Sequence, residues 1–283
     1  MTMTEGTVSL DVYGGGKGQT TVVGGDVTVN LGTKTGDSAP YTYTGTGLVT
    51  GNVYGGSALG AVNATKDATT GELSYTDGKK TEVNIYSGTV NGSIFGGGLG
   101  HDDTEDDTKD IVAQNFGNTT VTIENSDNSK ATVKTAVYGG SNENGVLKKD
   151  AIVTIVGGTV GTLPEGTDPV TNVVFGGGFG QPTMVNGNVT LNIGTSGATS
   201  GAVLNGNIYG GSALGGVNVS DALGTPTTNT KTDVNLYAGT IHGDAYGGGL
   251  GNAGTAAYVG GDVTVTLDRS RSEERRVGKE CRS

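Results

Sequence analysis

The sequence predicts an all-β fold: a right-handed parallel β-helix (β-solenoid) of short strands, with glycine corners and protruding polar loops. Three observations carry this expectation. Glycine supplies 55 of 283 residues, while proline is limited to 5 and tryptophan is absent; without a three-residue period, such a composition excludes collagen. An aromatic followed by a glycine pair recurs at Tyr13, Tyr54, Phe95, Tyr138, Phe175, Tyr209 and Tyr246. Between these marks the apolar residues alternate over short runs. Val27, Val29 and Leu31 are separated by Thr28 and Asn30, the period of a strand with one buried face.

The marks are spaced 41, 41, 43, 37, 34 and 37 residues apart. The third residue after each aromatic alternates without exception: Gly16, Ser57, Gly98, Ser141, Gly178, Ser212, Gly249. The full repeat is therefore a pair of units, "GGG" then "GGS". Longer phrases agree. "VNIYSGTVNGSIFGGGLG" from Val83 returns as "VNLYAGTIHGDAYGGGLG" from Val234, and "GNVYGGSALGAVN" from Gly51 returns as "GNIYGGSALGGVN" from Gly206.

Strands this short, separated by one- or two-residue corners, cannot pair as long hairpins. They suit the faces of a coil in which each strand stacks on its counterpart in the next coil. Glycine belongs at the corners, where positive φ or a close backbone approach excludes a Cβ. At roughly 20 residues per coil, two coils per unit give about 12 coils and a rod roughly 55–60 Å long at the stacked-strand spacing. A β-propeller has repeats of similar length, but its blades need four strands of ordinary length, usually with tryptophan-bearing motifs. Residues 33–47, 63–80, 102–113 and 218–230 are polar and break the pattern, so they are expected as loops leaving the rod.

Residues 1–268 are read as one solenoid, a fragment of a longer protein with both ends cut. Every arginine and the single cysteine, Cys281, fall within residues 269–283. That stretch, "RSRSEERRVGKECRS", resembles translated vector sequence and is expected to be a non-native, disordered tail. Removing Glu273, Glu274 and Glu280 from the 28 acids leaves 25 against 11 lysines, a body charge of −14. Such a surface repels phosphate backbones and anionic lipid, so nucleic acid is not an expected partner. No 18-residue apolar run occurs, so no membrane insertion is expected. Stacked coils bury little individually, which makes end-to-end self-association an expected property of uncapped ends.

Tandem V-[YF]-G-G-[GS] units with V-x-V strands and Gly-Thr-Val turns resemble the large repetitive surface proteins of anaerobic gut bacteria, of the adhesin-like or autotransporter-type β-helix kind. The resemblance covers residues 5–268. It implies export to the bacterial surface or the extracellular space, and work as an adhesin, a stalk or a passenger domain.

Catalytic signatures are sparse. In "GGSALG" a leucine, Leu59 or Leu214, stands where a nucleophile elbow needs its last glycine, and no phosphate-loop pattern occurs. Only His101 and His242 are present. The body lacks arginine, a frequent partner of acidic sugars in polysaccharide-cleaving β-helices. The expectation is a non-enzyme without a cofactor; a carbohydrate-active lyase or tail-spike-like hydrolase is the alternative, as is a purely structural spacer. In "HDDTEDDTKD", Asp102, Asp103, Glu105, Asp106 and Asp107 could offer oxygen ligands to Ca²⁺, against the plainer reading of a solvated acidic loop.

The residue before each aromatic mark is apolar, from Val12 to Ala245. If it points inward, the neighbouring ring points outward. Tyr13, Tyr54, Phe95, Tyr138, Phe175, Tyr209 and Tyr246 are then candidate ligand-binding residues, a ladder able to stack on glycans or other host or microbial surface molecules. The plainer reading has each ring covering the glycine backbone beside it.

Overall fold

A computed structural model describes residues 1–163, 171–198 and 200–268. The expected tail, 269–283, lies outside the described residues. The body is a parallel β-solenoid. In its second coil the chain runs through Val27–Leu31, Leu48–Val49, Val53–Tyr54 and Ala61–Val62. Each segment pairs in parallel with its counterpart one coil further on: Val29 with Val83, Val49 with Val90, Tyr54 with Phe95, Val62 with Asn115. Four faces result. A long face of eight strands is followed around the coil by a valine face, a ring face and a fourth face of seven strands each.

One aromatic mark therefore equals one coil, from Tyr13 in the first to Tyr246 in the seventh, and the expected halving of the unit is corrected. Eight stacked strands on the long face span about 34 Å at about 4.8 Å per step, shorter than the rod expected. The clusters that read as separate coils are the four faces of one. Three of those faces use strands as short as two residues, too short for a period-two pattern to distinguish a change of face from a change of coil.

Inward residues of the long face, such as Val83, Ile85, Val121, Ile123, Val153 and Ile155, meet Val90, Val133 and Val160 of the valine face and Ile94, Val137 and Val174 of the ring face in one buried core. Outward residues are mostly Thr and Asn, Ile152 being an apolar exception. Asn84 Nδ2 donates to Asn30 Oδ1 at 3.0 Å and Asn235 Nδ2 to Asn192 Oδ1 at 2.9 Å, so identical amides link consecutive coils.

The glycine pair after each ring has a steric cause. A Cβ at Gly55, Gly96, Gly139 or Gly176 would overlap the carbonyl of the matching glycine one coil on. The alternation coincides with a bond at two of its three steps: Ser57 Oγ accepts from Gly16 N–H at 3.1 Å and Ser212 Oγ from Gly178 N–H at 3.0 Å, whereas Ser141 Oγ is buried without a partner among the described residues. A Cβ at Gly15, Gly97 or Gly177 would overlap the serine Oγ of the coil above.

At one corner the inserts alternate with the coils. Between the long and valine faces the even-numbered coils carry inserts, at 32–47, 124–130 and, among the described residues, 194–198 with 200–202, whereas odd-numbered coils turn there within 86–87, 156–158 and 237–239; coils two and six carry a second insert, at 63–79 and 218–230, before the next long strand. Across the coil, between ring and fourth faces, the even coils are short (55–60, 139–144, 210–215) and the third carries 96–112. All four expected loops leave the rod. Two are ordered hairpins, Thr33–Thr35 with Thr42–Thr44 and Ala64–Lys66 with Leu73–Tyr75.

The second hairpin and the insert at 219–230 each begin at a buried asparagine with positive φ, Asn63 at 55° and Asn218 at 57°. Asn63 Nδ2 donates to Gly25 O and Lys80 O, and its Oδ1 accepts from Thr81 Oγ1 at 2.8 Å. Asn218 repeats this with Gly187 O, Lys231 O and Thr232 Oγ1. Asparagine tolerates the left-handed conformation better than most side chains, and its amide fastens the base of each insert.

Candidate functional site

The ring face brings all seven candidate aromatics together in one column. Consecutive centroids lie 4.7, 5.0, 4.7, 4.9, 4.9 and 4.8 Å apart with interplanar angles of 12° or less. Each ring does turn away from the main core, as alternation requires. It is nevertheless buried from Tyr54 to Tyr209, because the next stretch of chain folds back as a shoulder. Ala213, Leu99 and Leu250 pack on the column, and Phe179 meets Tyr138 edge-on at 5.8 Å.

The expected outward ladder is thereby corrected to a second core. Both faces of the five inner rings are occupied by neighbouring rings, so a sugar has no face there on which to stack. Tyr13 and Tyr246 alone keep an open face. Four of the phenols, all but Tyr138, are partnered locally. Tyr54 Oη accepts from Asn142 Nδ2 at 2.9 Å and Asn52 Nδ2 at 3.2 Å, Tyr209 donates to Asn172 Oδ1 at 3.0 Å, and Tyr246 donates to Asp244 at 3.1 Å.

The acidic loop is closed at its base by a bridge between His101 and Ile111. Three of its carboxylates, Asp103, Asp106 and Asp110, serve the loop itself. Asp103 accepts from Glu105 N–H, Asp106 caps the short 3₁₀ turn Asp107–Lys109 through Thr108 N–H, and Lys109 pairs with Asp106 at 3.0 Å and Asp103 at 3.6 Å. Hydrogen bonds from Thr108 and Lys109 hold Asp106 below the usual carboxylate range. Asp102 is pushed the other way, by burial and then by Asp110 and Asp107. Among the described residues no group of three or more His, Cys, Asp or Glu side chains is arranged to hold a metal ion. His242 sits exposed, its N–H bonded to Leu204 O.

Sequence reasoning missed a concave region at another corner of the rod. The protruding inserts of coils two and four flank the bare corner of coil three and leave a cleft of about 450 Å³, lined by Tyr43, Thr44, Thr46, Ser87, Thr89, Ser129 and Lys130. One wall is pinned from beneath. Glu124 accepts from Lys34 Nζ at 2.8 Å and from Tyr43 Oη at 2.8 Å, and Lys34 Nζ lies 3.8 Å over the Tyr41 ring. Burial, then the Glu124 bond, raises the Tyr43 phenol above its ordinary range. At the next such corner Asn128 closes the gap, donating to Gly201 O at 2.9 Å and accepting from Gly158 N–H at 2.8 Å. No signal in the sequence marks Glu124, because its partners lie 81 and 90 residues away.

No helix among the described residues is long and apolar enough to cross a membrane. No family model, curated protein or solved structure matches this chain.

Proposed function

We propose that this chain is a non-catalytic display stem of an adhesin-like protein at the bacterial surface, touching glycans by repeated weak contacts. The observation that carries this reading is the alternation of inserts: a stacked core holds loops at every second coil along one edge, about 10 Å apart. The cleft beside Tyr43 is where a saccharide would sit. Its hydroxyls and the Lys130 ammonium supply donors and acceptors suited to sugar hydroxyl or carboxylate groups, and its volume falls within the range of small-ligand sites. Weak contacts of this kind gain strength through avidity when many stems share a surface.

A glycan-array screen with the full chain tests this. Binding of defined saccharides, reduced at least tenfold by Lys130→Ala together with Thr89→Val in a still-folded protein, is expected. A blank array would leave a spacer, and release of shortened glycans would make the chain a carbohydrate-active enzyme.

A further inference from the structure

We propose that the inserts of coils two and six between the long and valine faces are hinged straps, each held down by a carboxylate two coils further along the rod, and that Glu124 is the latch of the strap that walls the cleft over coil three. The strap's own bonding carries this, whether or not a saccharide sits in the cleft.

The residue that follows each long-face strand belongs to one column, its N–H bonded to the last strand residue of the coil before. Gly32 bonds in this way to Met3 O, Glu124 to Ile85 O, Gly194 to Ile155 O and Asp268 to Leu236 O. Glycine thus stands in the column at coils two and six, where a strap begins, and a carboxylate at coil four and after the strand that opens coil eight. Both carboxylates reach back past the coil between. Glu124 accepts from Lys34 Nζ and Tyr43 Oη, and Asp268 accepts from Ser196 Oγ at 3.0 Å and Gly197 N–H at 3.4 Å. The donors differ between the two copies, but the place of the latch and its reach are the same.

The strap of coil two has a hinge. It leaves and rejoins the rod through Gly32 and Gly45, with φ of 77° and 133°. The two are so close that a Cβ on Gly45 would lie 2.8 Å from Gly32 Cα. Ser87 Oγ donates to Gly45 O at 2.6 Å, which keeps the pivot on the rod. Beyond it, the strands Thr33–Thr35 and Thr42–Thr44 bury no residue, and a two-stranded hairpin of that length is not stable alone. Lys34 and Tyr43 face each other in its register, and both end on Glu124. Lys34 Nζ lies 2.8 Å from each carboxylate oxygen, and the two side chains are only 24% and 18% exposed. A charge-assisted bond in such a setting is stronger than a neutral one. The coils beneath do not need the latch, because Lys80–Ile85 and Asn118–Ile123 pair through their own backbones. Releasing Glu124 therefore frees the strap to swing from the cleft while the stack stays closed.

Hydrogen exchange of the full chain tests this. Glu124→Ala should speed exchange across residues 33–44 roughly tenfold or more. Lys80–Ile85 and Asn118–Ile123 should stay as slow as in the parent, and the thermal midpoint should move by no more than a few degrees. Glu124→Gln, which keeps an oxygen acceptor without the charge, should fall between. Asp268→Ala should loosen residues 194–198 and leave 33–44 at the parent rate. If 33–44 keeps the parent rate in Glu124→Ala, the hairpin holds without its latch and the proposal is overturned. If its exchange rises only together with that of the two strands, Glu124 supports the coils rather than a strap, and the proposal is equally overturned.

Discussion

At the residue scale, Tyr54 shows how one side chain serves packing rather than recognition. Its ring fills the space between Tyr13 and Phe95, each stacked contact contributing about 0.5–1.5 kcal/mol beyond area burial. Burial pushes its hydroxyl up to about 12, against the opposing pull of donors Asn142 and Asn52, and burial alone raises Tyr138. Phenols held neutral in this way stabilise the fold below the unfolded value of about 10, and the contribution disappears as pH rises through the folded value. Phenolate absorbance from the column should therefore appear together with loss of the β-sheet circular dichroism. Ionisation of Tyr54 and Tyr138 well before unfolding would mean that the column is open to water. The sequence made the regular recurrence of these rings legible, but not their burial, which depends on shoulder residues such as Phe179 and Leu250 folding back from beyond the glycines.

At the element scale, the inserts depend on what fastens their bases. The amide of Asn63 makes three hydrogen bonds in a fully buried corner. Asn63→Ala leaves Thr81 Oγ1 and two carbonyls without that partner and places alanine at a positive φ. The expected loss is about 2–4 kcal/mol, read by thermal or denaturant unfolding. A loss below about 0.5 kcal/mol would show that the amide is dispensable. The repeated phrases ending in Asn63 and Asn218 marked these positions as equivalent, and the loop boundaries were legible from composition. The hairpin order within residues 33–44 was not, because Lys34 and Tyr43 meet Glu124 two coils away and such a contact leaves no local pattern. The acidic loop was the loudest local signal, yet three of its carboxylates, Asp103, Asp106 and Asp110, are taken up by its own turn or by Lys109.

At the scale of the whole molecule, the strands of each coil pair only with those of its neighbours, a few side-chain ties such as Lys34–Glu124 and Asn142–Tyr54 reaching one coil further, so stability is largely a sum of coil steps and falls towards the ends. The core is closed in the middle coils. At the last strand, Asp262–Leu267, the inward residues Val263, Val265 and Leu267 are 45%, 46% and 67% exposed. Hydrogen exchange at low protein concentration should be slowest on the long face of coils three to six and fastest at Asp262–Leu267. Uniform protection along the rod would contradict this nearest-neighbour account. The fold class was legible because period-two strands and glycine corners repeat at fixed spacing. The number of coils was misjudged because nothing in a two-residue strand reveals how many faces one turn contains.

The serine–glycine alternation also constrains how such a chain can change in length. A coil of one kind presents its serine to the glycine of the other, and its insert between the long and valine faces projects beside the bare turn of its neighbours. Deleting a single coil would set two like coils against each other, breaking the serine bond and crowding inserts onto one edge. Deleting or duplicating two restores both. The natural unit of growth is thus the pair, and recombination that lengthens or trims this stem should do so in even numbers of turns.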